Sequence, residues 1–506
     1  MHAARLCSSA LHGLSARQVT VEIDIASGLP RFTIVGLPDT AINESRERVK
    51  AAIRHCGFSF PRTQVTVNLA PADVKKQGPS FDLAIAIGIL CAQGGITQYE
   101  RLNNVIILGE LGLDGSIRPV HGVLLSAQLA REQGFAILVS SKNREEAQLV
   151  HGLEIYCADH LSELITKLES ATWQPVQVLE TSEIPSSEYA VDMSDVAGQE
   201  HAKRGLEIAA AGNHNLLLIG PPGSGKTLLA RALPSILPHP TPNEALEITA
   251  IHSVAGTLEN VQTLTSKRPF RSPHHSASGV ALVGGGVSPR PGEVSLAHRG
   301  VLFLDEFPEF PRTALEHLRQ PLEDGVVTIA RAAGSYQFPA RFMLVAAMNP
   351  CPCGHYQDPG HTCSCTPGAI ARYQQRISGP LLDRIDLIVQ VPRVNASDLR
   401  IASLPESSVI IRERIHEARN RQIHRYTGQG IHNNSELSAR LLKTCIHLEP
   451  AAEAILEQAA EKQHLSARAY SRLLKVAQTI ADLAGSDSIA ALHIAEALQF
   501  RLPAML

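Results

Sequence analysis

Residues 220–227 read Gly220-Pro221-Pro222-Gly223-Ser224-Gly225-Lys226-Thr227 and follow directly on the apolar run Asn215–Ile219. A G-x-x-x-x-G-K-[ST] segment between a buried strand and a helical pattern is a cradle for phosphate groups. Its glycines let the backbone curl until successive N–H groups point inward at anionic oxygens. The helix N-terminus adds partial positive charge, Lys226 reaches the β- and γ-phosphates, and Thr227 can ligate Mg²⁺. The expected ligands are therefore ATP and Mg²⁺.

A phosphate cradle needs carboxylates for metal and water. About 80 residues on, Val301-Leu302-Phe303-Leu304-Asp305-Glu306 is an apolar strand ending in two of them. Asp305 suits the Mg²⁺ shell, and Glu306 suits the attacking water. A second apolar strand, Met343–Met348, ends in Asn349, which can sense the γ-phosphate; the plainer reading is an Asn-Pro turn. Gly379-Pro380-Leu381-Leu382-Asp383-Arg384-Ile385-Asp386 then sets an arginine on a short exposed segment. Its planar fork suits charge on a transferring phosphoryl group, and a surface pair with Asp383 or Asp386 is the alternative.

Four of the nine cysteines, Cys351, Cys353, Cys363 and Cys365, fall within 15 residues as a C-x-C…C-x-C pair around His355 and His361. Thiolates so gathered suit tetrahedral Zn²⁺, although structural sites usually space their cysteines as C-x₂₋₄-C. Free thiols and a regulatory disulfide remain the alternatives. The other five (Cys7, Cys56, Cys91, Cys157, Cys445) read as small buried residues.

At 506 residues the chain exceeds a single core, and 44% hydrophobic with 19% charged residues is ordinary for a globular protein. A net charge of −3 provides no global attraction to nucleic acid, so any such contact must come from local clusters. No run is long enough to span a bilayer and Met1–Ala10 has no signal-peptide core, so the cytoplasm is the expected address. Three blocks separate. Residues 1–170 alternate strands (Gln18–Ile25, Gln64–Asn68, Val105–Leu108) with helices (Thr40–Ile53, Phe81–Leu90), and a linker is expected at 171–190. Residues 191–400 hold the phosphate machinery. Residues 401–506 read as helices, clearest at Ile411–Arg425, Pro450–Lys462 and Ser466–Leu483.

Together these motifs resemble an AAA+ ATPase, which implies an α/β core with a helical C-terminal lid. The resemblance implies that Arg384 acts as a finger on a neighbour's ATP within a homo-hexamer. It also implies that Arg468, in Leu465-Ser466-Ala467-Arg468, is a second sensor in the lid over the nucleotide, with Arg472 the weaker candidate. Pro269-Phe270-Arg271-Ser272-Pro273-His274-His275-Ser276, Gly284-Gly285-Gly286 and the β-rich stretch 325–338, with a turn near Ala332–Ser335, resemble the magnesium-chelatase-like branch. Its insertion and hairpin would face a central pore, where Lys267, Arg268, Arg271, His274, His275 and Arg331 would touch DNA phosphates; a solvated face is the alternative.

The front block carries Gln77-Gly78-Pro79-Ser80 and Gly109-Glu110…Pro119-Val120-His121-Gly122, and looks like a Lon-protease (S5-type α+β) domain. Ser80 stands at the nucleophile position, but Leu124 stands where the activating lysine belongs, so peptidase activity is not expected. This order of domains is similar to the YifB/ComM family over essentially the whole chain. That implies an ATP-driven hexameric DNA motor with helicase and branch-migration activity on recombination joints during natural transformation. The alternatives are a chelatase-type remodelling ATPase and an ATP-dependent chaperone or protease-like protein.

Overall fold

The computed structural model describes residues 4–170, 172–177, 189–258, 264–286, 289–331, 334–358, 360–393 and 406–501. Its front block is built on a seven-stranded sheet in the spatial order Arg31–Val35, Gln64–Ala70, Ser15–Ala26, Ala4–His12, Val105–Ile107, Ala136–Val139, Ile155–Cys157. Strands Ala4–His12 and Ser15–Ala26 form one long antiparallel hairpin, and the three strands beyond Ala4–His12 run parallel to it. Helix Asp82–Ala92 is buried on nearly every side, which explains why its sequence is apolar all round rather than in a stripe. The preceding helix, Thr40–His55, starts where Asp39 accepts a bond from the Ile42 N–H at 2.9 Å. The expected strands and helices of this block all appear, with ends shifted by at most three residues; Val105–Ile107 is one residue shorter than expected and the second helix starts at Asp82 rather than Phe81.

The expected linker begins late. Trp173 stacks flat on Tyr156 (ring centroids 4.3 Å, interplanar angle 2°) and the Val176 N–H bonds Ile155 O at 2.7 Å, so the chain still belongs to the front sheet there. Residues 178–188 lie outside the described residues.

The second sheet has five parallel strands in the order Phe270–Arg271, Val301–Leu304, Met343–Met348, Leu216–Ile219, Leu387–Gln390. Both faces are covered, so these strands read as unbroken apolar runs. Leu216, Leu218, Phe303, Val345 and Val389 point to one core, while Leu217, Leu302, Leu344, Ala346 and Ile388 point to the other. The first of those cores also contains Ile411, Ile415, Leu456, Leu473 and Ile480 from the C-terminal helices. The C-terminal block is thus no detached lid: it shares one core with a face of the sheet. Buried His214 reinforces the join, with Nε2 2.8 Å from Thr479 Oγ1 and Nδ1 3.4 Å from Asp386.

The front block grips the second at two places. Buried Glu146 accepts hydrogen bonds from the Ser253 hydroxyl, the Leu124 N–H and the Asn143 side chain, and burial pushes its carboxyl above the ordinary range. His12, the last residue of the first strand, meets Tyr336 edge-on at 4.7 Å. Removing the Glu146 carboxylate strands the Ser253 hydroxyl and the Leu124 N–H. Glu146→Ala should therefore cost about 2–3 kcal/mol, read as a lower urea midpoint, and Glu146→Gln should cost clearly less because an acceptor remains.

Candidate functional site

Three strands of the parallel sheet deliver their polar residues to one edge. The phosphate loop leaves the C-terminal end of Leu216–Ile219, Asp305 and Glu306 follow Val301–Leu304, and Asn349 follows Met343–Met348. Open parallel sheets bind ligands at this edge. Gly223 and Gly225 take φ values of +75° and +93°, which L side chains avoid, and a Cβ on Gly220 would lie 2.1 Å from Val391 O. The helix Lys226–Ile236 then aims its N-terminus at the cradle.

Side chains close the arrangement. Lys226 Nζ donates to Gly220 O at 2.6 Å, Pro221 O at 2.9 Å and Asn349 Oδ1 at 3.2 Å. Thr227 Oγ1 donates to Asp305 Oδ2 at 2.8 Å, which pairs the two expected Mg²⁺ ligands. Ser224 Oγ is buried without a partner among the described residues, an orphan that a phosphate oxygen would satisfy. The residues present therefore fit a triphosphate with its metal. Glu306, at φ +52°, is exposed at the same edge, and its Oε2 lies 2.9 Å from His275 Nδ1.

Arg384 lies at the opposite edge. Asn215, which precedes the phosphate-loop strand, donates from Nδ2 to Arg384 O at 2.8 Å, whereas the cradle starts at that strand's far end. The separation is about 16 Å of extended chain. The Arg384 fork bonds Glu323 and, at 2.6 Å, Pro380 O, leaving its Nε buried and unpartnered among the described residues. Arg468 is a correction to the expected lid over the nucleotide. Arg472, one turn on, bonds Leu382 O at 3.1 Å, Ile385 O at 2.6 Å and Asp383 at 3.1 Å, which seats this helix end on the Arg384 turn. Arg384, with help from exposed Arg468, holds the Glu323 carboxyl below its usual range. The helix comes here because its apolar face belongs to the shared core.

The cationic set expected on DNA divides. Arg268 is a correction: it is 8% exposed and donates to Pro238 O at 2.6 Å, Arg299 O at 2.8 Å and Glu244 at 2.9 Å, as an internal strut. The Arg271 fork is committed to Glu293, at 2.7 and 2.9 Å. Lys267 and His274 are exposed, and Lys267 lies over the Tyr189 ring. Strands Val326–Arg331 and Gly334–Pro339 form the expected hairpin, but Tyr336 is buried against the front block rather than free. The Arg331 side chain lies outside the described residues.

The four cysteines converge. Cys351 Sγ lies 3.4 Å from Cys353 Sγ and 3.8 Å from Cys363 Sγ, and Cys353 lies 3.6 Å from Cys363. All four sulfurs fall within 4.8 Å of one another, and all nine cysteines are free. Zinc–sulfur bonds of about 2.3 Å at tetrahedral angles set thiolates about 3.8 Å apart, close to this spacing. The Cys353 thiol is pulled down to about 5, first by the His355 N–H. Beside the cluster, His355, His361 and Arg393 all approach one oxygen of Asp358, at 3.3 to 3.4 Å. The guanidinium already neutralises that carboxylate.

In the front block, buried Leu124 occupies the expected lysine position and Ser80 accepts a bond from the Gly109 N–H through its backbone carbonyl. Sequence reasoning missed Gln199, which ties Ser224 O (3.2 Å) to Pro392 O (2.5 Å), and the contact of His275 with Glu306. No spacing rule signals either, because each joins segments far apart in the chain.

Fold and site define a P-loop protein of the magnesium-chelatase-like AAA+ class. The family described as "Magnesium chelatase, subunit ChlI" matches residues 192–399, "Subunit ChlI of Mg-chelatase" matches 21–143, and "Magnesium chelatase, subunit ChlI C-terminal" matches 405–501. Near full-length relatives are more specific. The chain is 45% identical to YifB of Escherichia coli (97% of this chain, 95% of the relative) and 43% identical to the competence protein ComM of Haemophilus influenzae (99% and 98%). It is 30% identical to the magnesium-chelatase 67 kDa subunit of Chlorobaculum parvum over 32% of this chain and 23% of that protein. The chain belongs to the YifB/ComM family.

Burial lowers the Lys226 ammonium to about 8, and Asp305 offsets only part of that shift. Below this pH the lysine already carries its charge. Above it, binding of a phosphate anion must first restore the proton. Nucleotide binding should therefore take up a proton above pH 8 but not at pH 7. Calorimetric titration in buffers of different ionisation enthalpy reads that difference directly.

Proposed function

We propose that this chain is an ATP-driven motor that acts on DNA as a homo-hexameric ring, displacing strands at branched recombination joints such as those of natural transformation. The observation that carries this reading is the division of one sheet, with cradle, carboxylates and Asn349 at one edge and Arg384 at the other. An arginine so placed serves a neighbour's nucleotide, and a finger supplied this way is worth roughly three to five orders of magnitude in rate. Arg468 and Arg472 belong to the same inter-subunit face.

In each site Gly220–Thr227 hold the triphosphate, Lys226 leaves its carbonyls for the terminal phosphates, and Asn349 helps place the water. Glu306 takes the proton from that water. Magnesium, held through Thr227 and Asp305, supplies charge neutralisation at the phosphates. Cys351, Cys353, Cys363 and Cys365 hold zinc.

Two things favour DNA as the track. One relative carries the name competence protein. The exposed insertion bearing His274 also bears His275, which bonds Glu306, so a phosphate drawn to His275 competes for the partner of the hydrolytic base. The Lon-like front block serves as a scaffold against which the hairpin rests. No helix among the described residues is long and apolar enough to cross a membrane.

Wild-type protein should displace a labelled strand from forked and three-stranded DNA with ATP, and Glu306→Gln should not. A ring that hydrolyses ATP yet ignores DNA would sink the motor reading in favour of chelatase-type remodelling, the activity class of the shorter 67 kDa match. Mixing tests the neighbour contact. Lys226→Ala and Arg384→Ala should each be inactive alone, yet regain turnover when combined, because some interfaces then pair an intact cradle with an intact arginine. No recovery would place Arg384 outside the reaction.

A further inference from the structure

The four-cysteine loop leaves the sheet directly after Asn349, the residue whose Oδ1 receives Lys226. It then folds back onto the phosphate loop. Gly354 sits so close to Pro222 that a Cβ there would lie 2.6 Å from the proline Cδ and 2.7 Å from its Cγ, with Asn349 Cγ 3.9 Å away. Its φ of +85° is one that L side chains rarely adopt, so shape and conformation both require glycine. A single loop thus touches the cradle by chain continuity through Asn349 and by packing through Gly354.

Two clusters give this loop its shape, the four sulfurs and the contacts of His355, His361 and Arg393 on Asp358. Among the described residues no helix or strand lies between Met348 and Pro367. Cys351 is fully buried, and its Sγ accepts the Tyr356 N–H at 3.3 Å, while Cys365 Sγ accepts the Cys353 N–H at 3.4 Å. N–H groups aimed at sulfur are the outer contacts that orient thiolate ligands. With a metal at its centre, this set is closed, and the two N–H groups stabilise the net negative charge that four thiolates leave on one Zn²⁺. Without one, four thiols within 4.8 Å of one another have only weak reasons to stay together.

We propose that the cluster is a zinc site whose occupancy sets the geometry of the phosphate loop, so that zinc and ATP bind cooperatively. The inference rests on the nucleotide reading above and adds a second ligand to it. Coupling between two sites is reciprocal. Zinc presses Gly354 onto Pro222 and holds Asn349 in reach of Lys226, and a triphosphate that orders the cradle in turn tightens the thiol cage.

The test uses the full-length chain kept reduced, as purified, after removal of metal by a chelator that is then dialysed away, and after zinc is restored. Zinc content is read by elemental analysis and affinity by titration with a fluorescent ATP analogue in Mg²⁺. We expect the stripped protein to bind the nucleotide roughly five-fold or more weakly, and added zinc to recover the loss. Gly354→Ala should weaken nucleotide binding while keeping its zinc, which separates the contact from metal loss. Circular dichroism on each sample checks that the chain remains folded. Equal affinity with and without zinc overturns the coupling and leaves the nucleotide reading intact, as does a chain that binds nucleotide but takes up no zinc. A chain that takes up zinc but binds no nucleotide overturns both.

Discussion

The buried ammonium of Lys226 is the interaction on which the site depends. Its three partners are neutral oxygens, two from the loop's own backbone and one from Asn349. Burial that lowers it to about 8 marks a charge held at a cost. A triphosphate offers this group what the carbonyls do not, full negative charge, in a place where water no longer competes. The surrounding fold can be read as the apparatus that keeps the position open. Tight glycines admit the anion, and a parallel sheet buried on both faces fixes where strand ends fall.

That sheet also separates functions by length. A strand of four residues puts about 13 Å between its ends, which exceeds the reach of an arginine. Cradle and Arg384 therefore lie apart within one chain, and the finger role proposed for Arg384 would need a second copy. The C-terminal helices strengthen the arrangement because they share a core with the sheet and are tied to it through His214, Thr479 and Asp386. A rotation of these helices carries Arg472, and the turn it grips, with it.

What the sequence showed was local. The phosphate loop, both carboxylates and Asn349 are each written within a few residues, because a strand running into a turn is a local event. Pro450–Lys462 likewise appears with the bounds its apolar spacing indicates. What it concealed was which charges face inward. Arg268 and Lys267 are neighbours of the same type, yet one is a strut and the other is exposed, because Glu244, Pro238 and Arg299 converge on only one of them. The placement of Arg468 was concealed for the same reason. Its own segment is plain, and only the apolar face of the helix, packed into a core shared with distant strands, decides which edge of the sheet it reaches. The grip of Gly354 on Pro222 is a contact across more than 130 residues, which no local pattern encodes.

Each group proposed to act on the nucleotide is engaged by another part of the chain. Lys226 rests on carbonyls, Glu306 on His275 and Arg384 on Glu323. The Glu306–His275 pair is of a kind that can be given up. The Glu306 and His275 side chains are 58% and 37% exposed, which puts that pair near ~0–1 kcal/mol, whereas in the other pair Glu323 is 60% exposed and Arg384 only 13%. The Arg268–Glu244 pair is 7% and 21% exposed and shares its arginine with two carbonyls, so breaking it would leave a buried charge without partners at about 3–5 kcal/mol. Solvent access thus sorts the ion pairs of this ATPase core into two kinds. The exposed Glu306–His275 pair is weak enough for an incoming charge to displace, and the buried Arg268–Glu244 pair holds the insertion that carries His275 to the rest of the core.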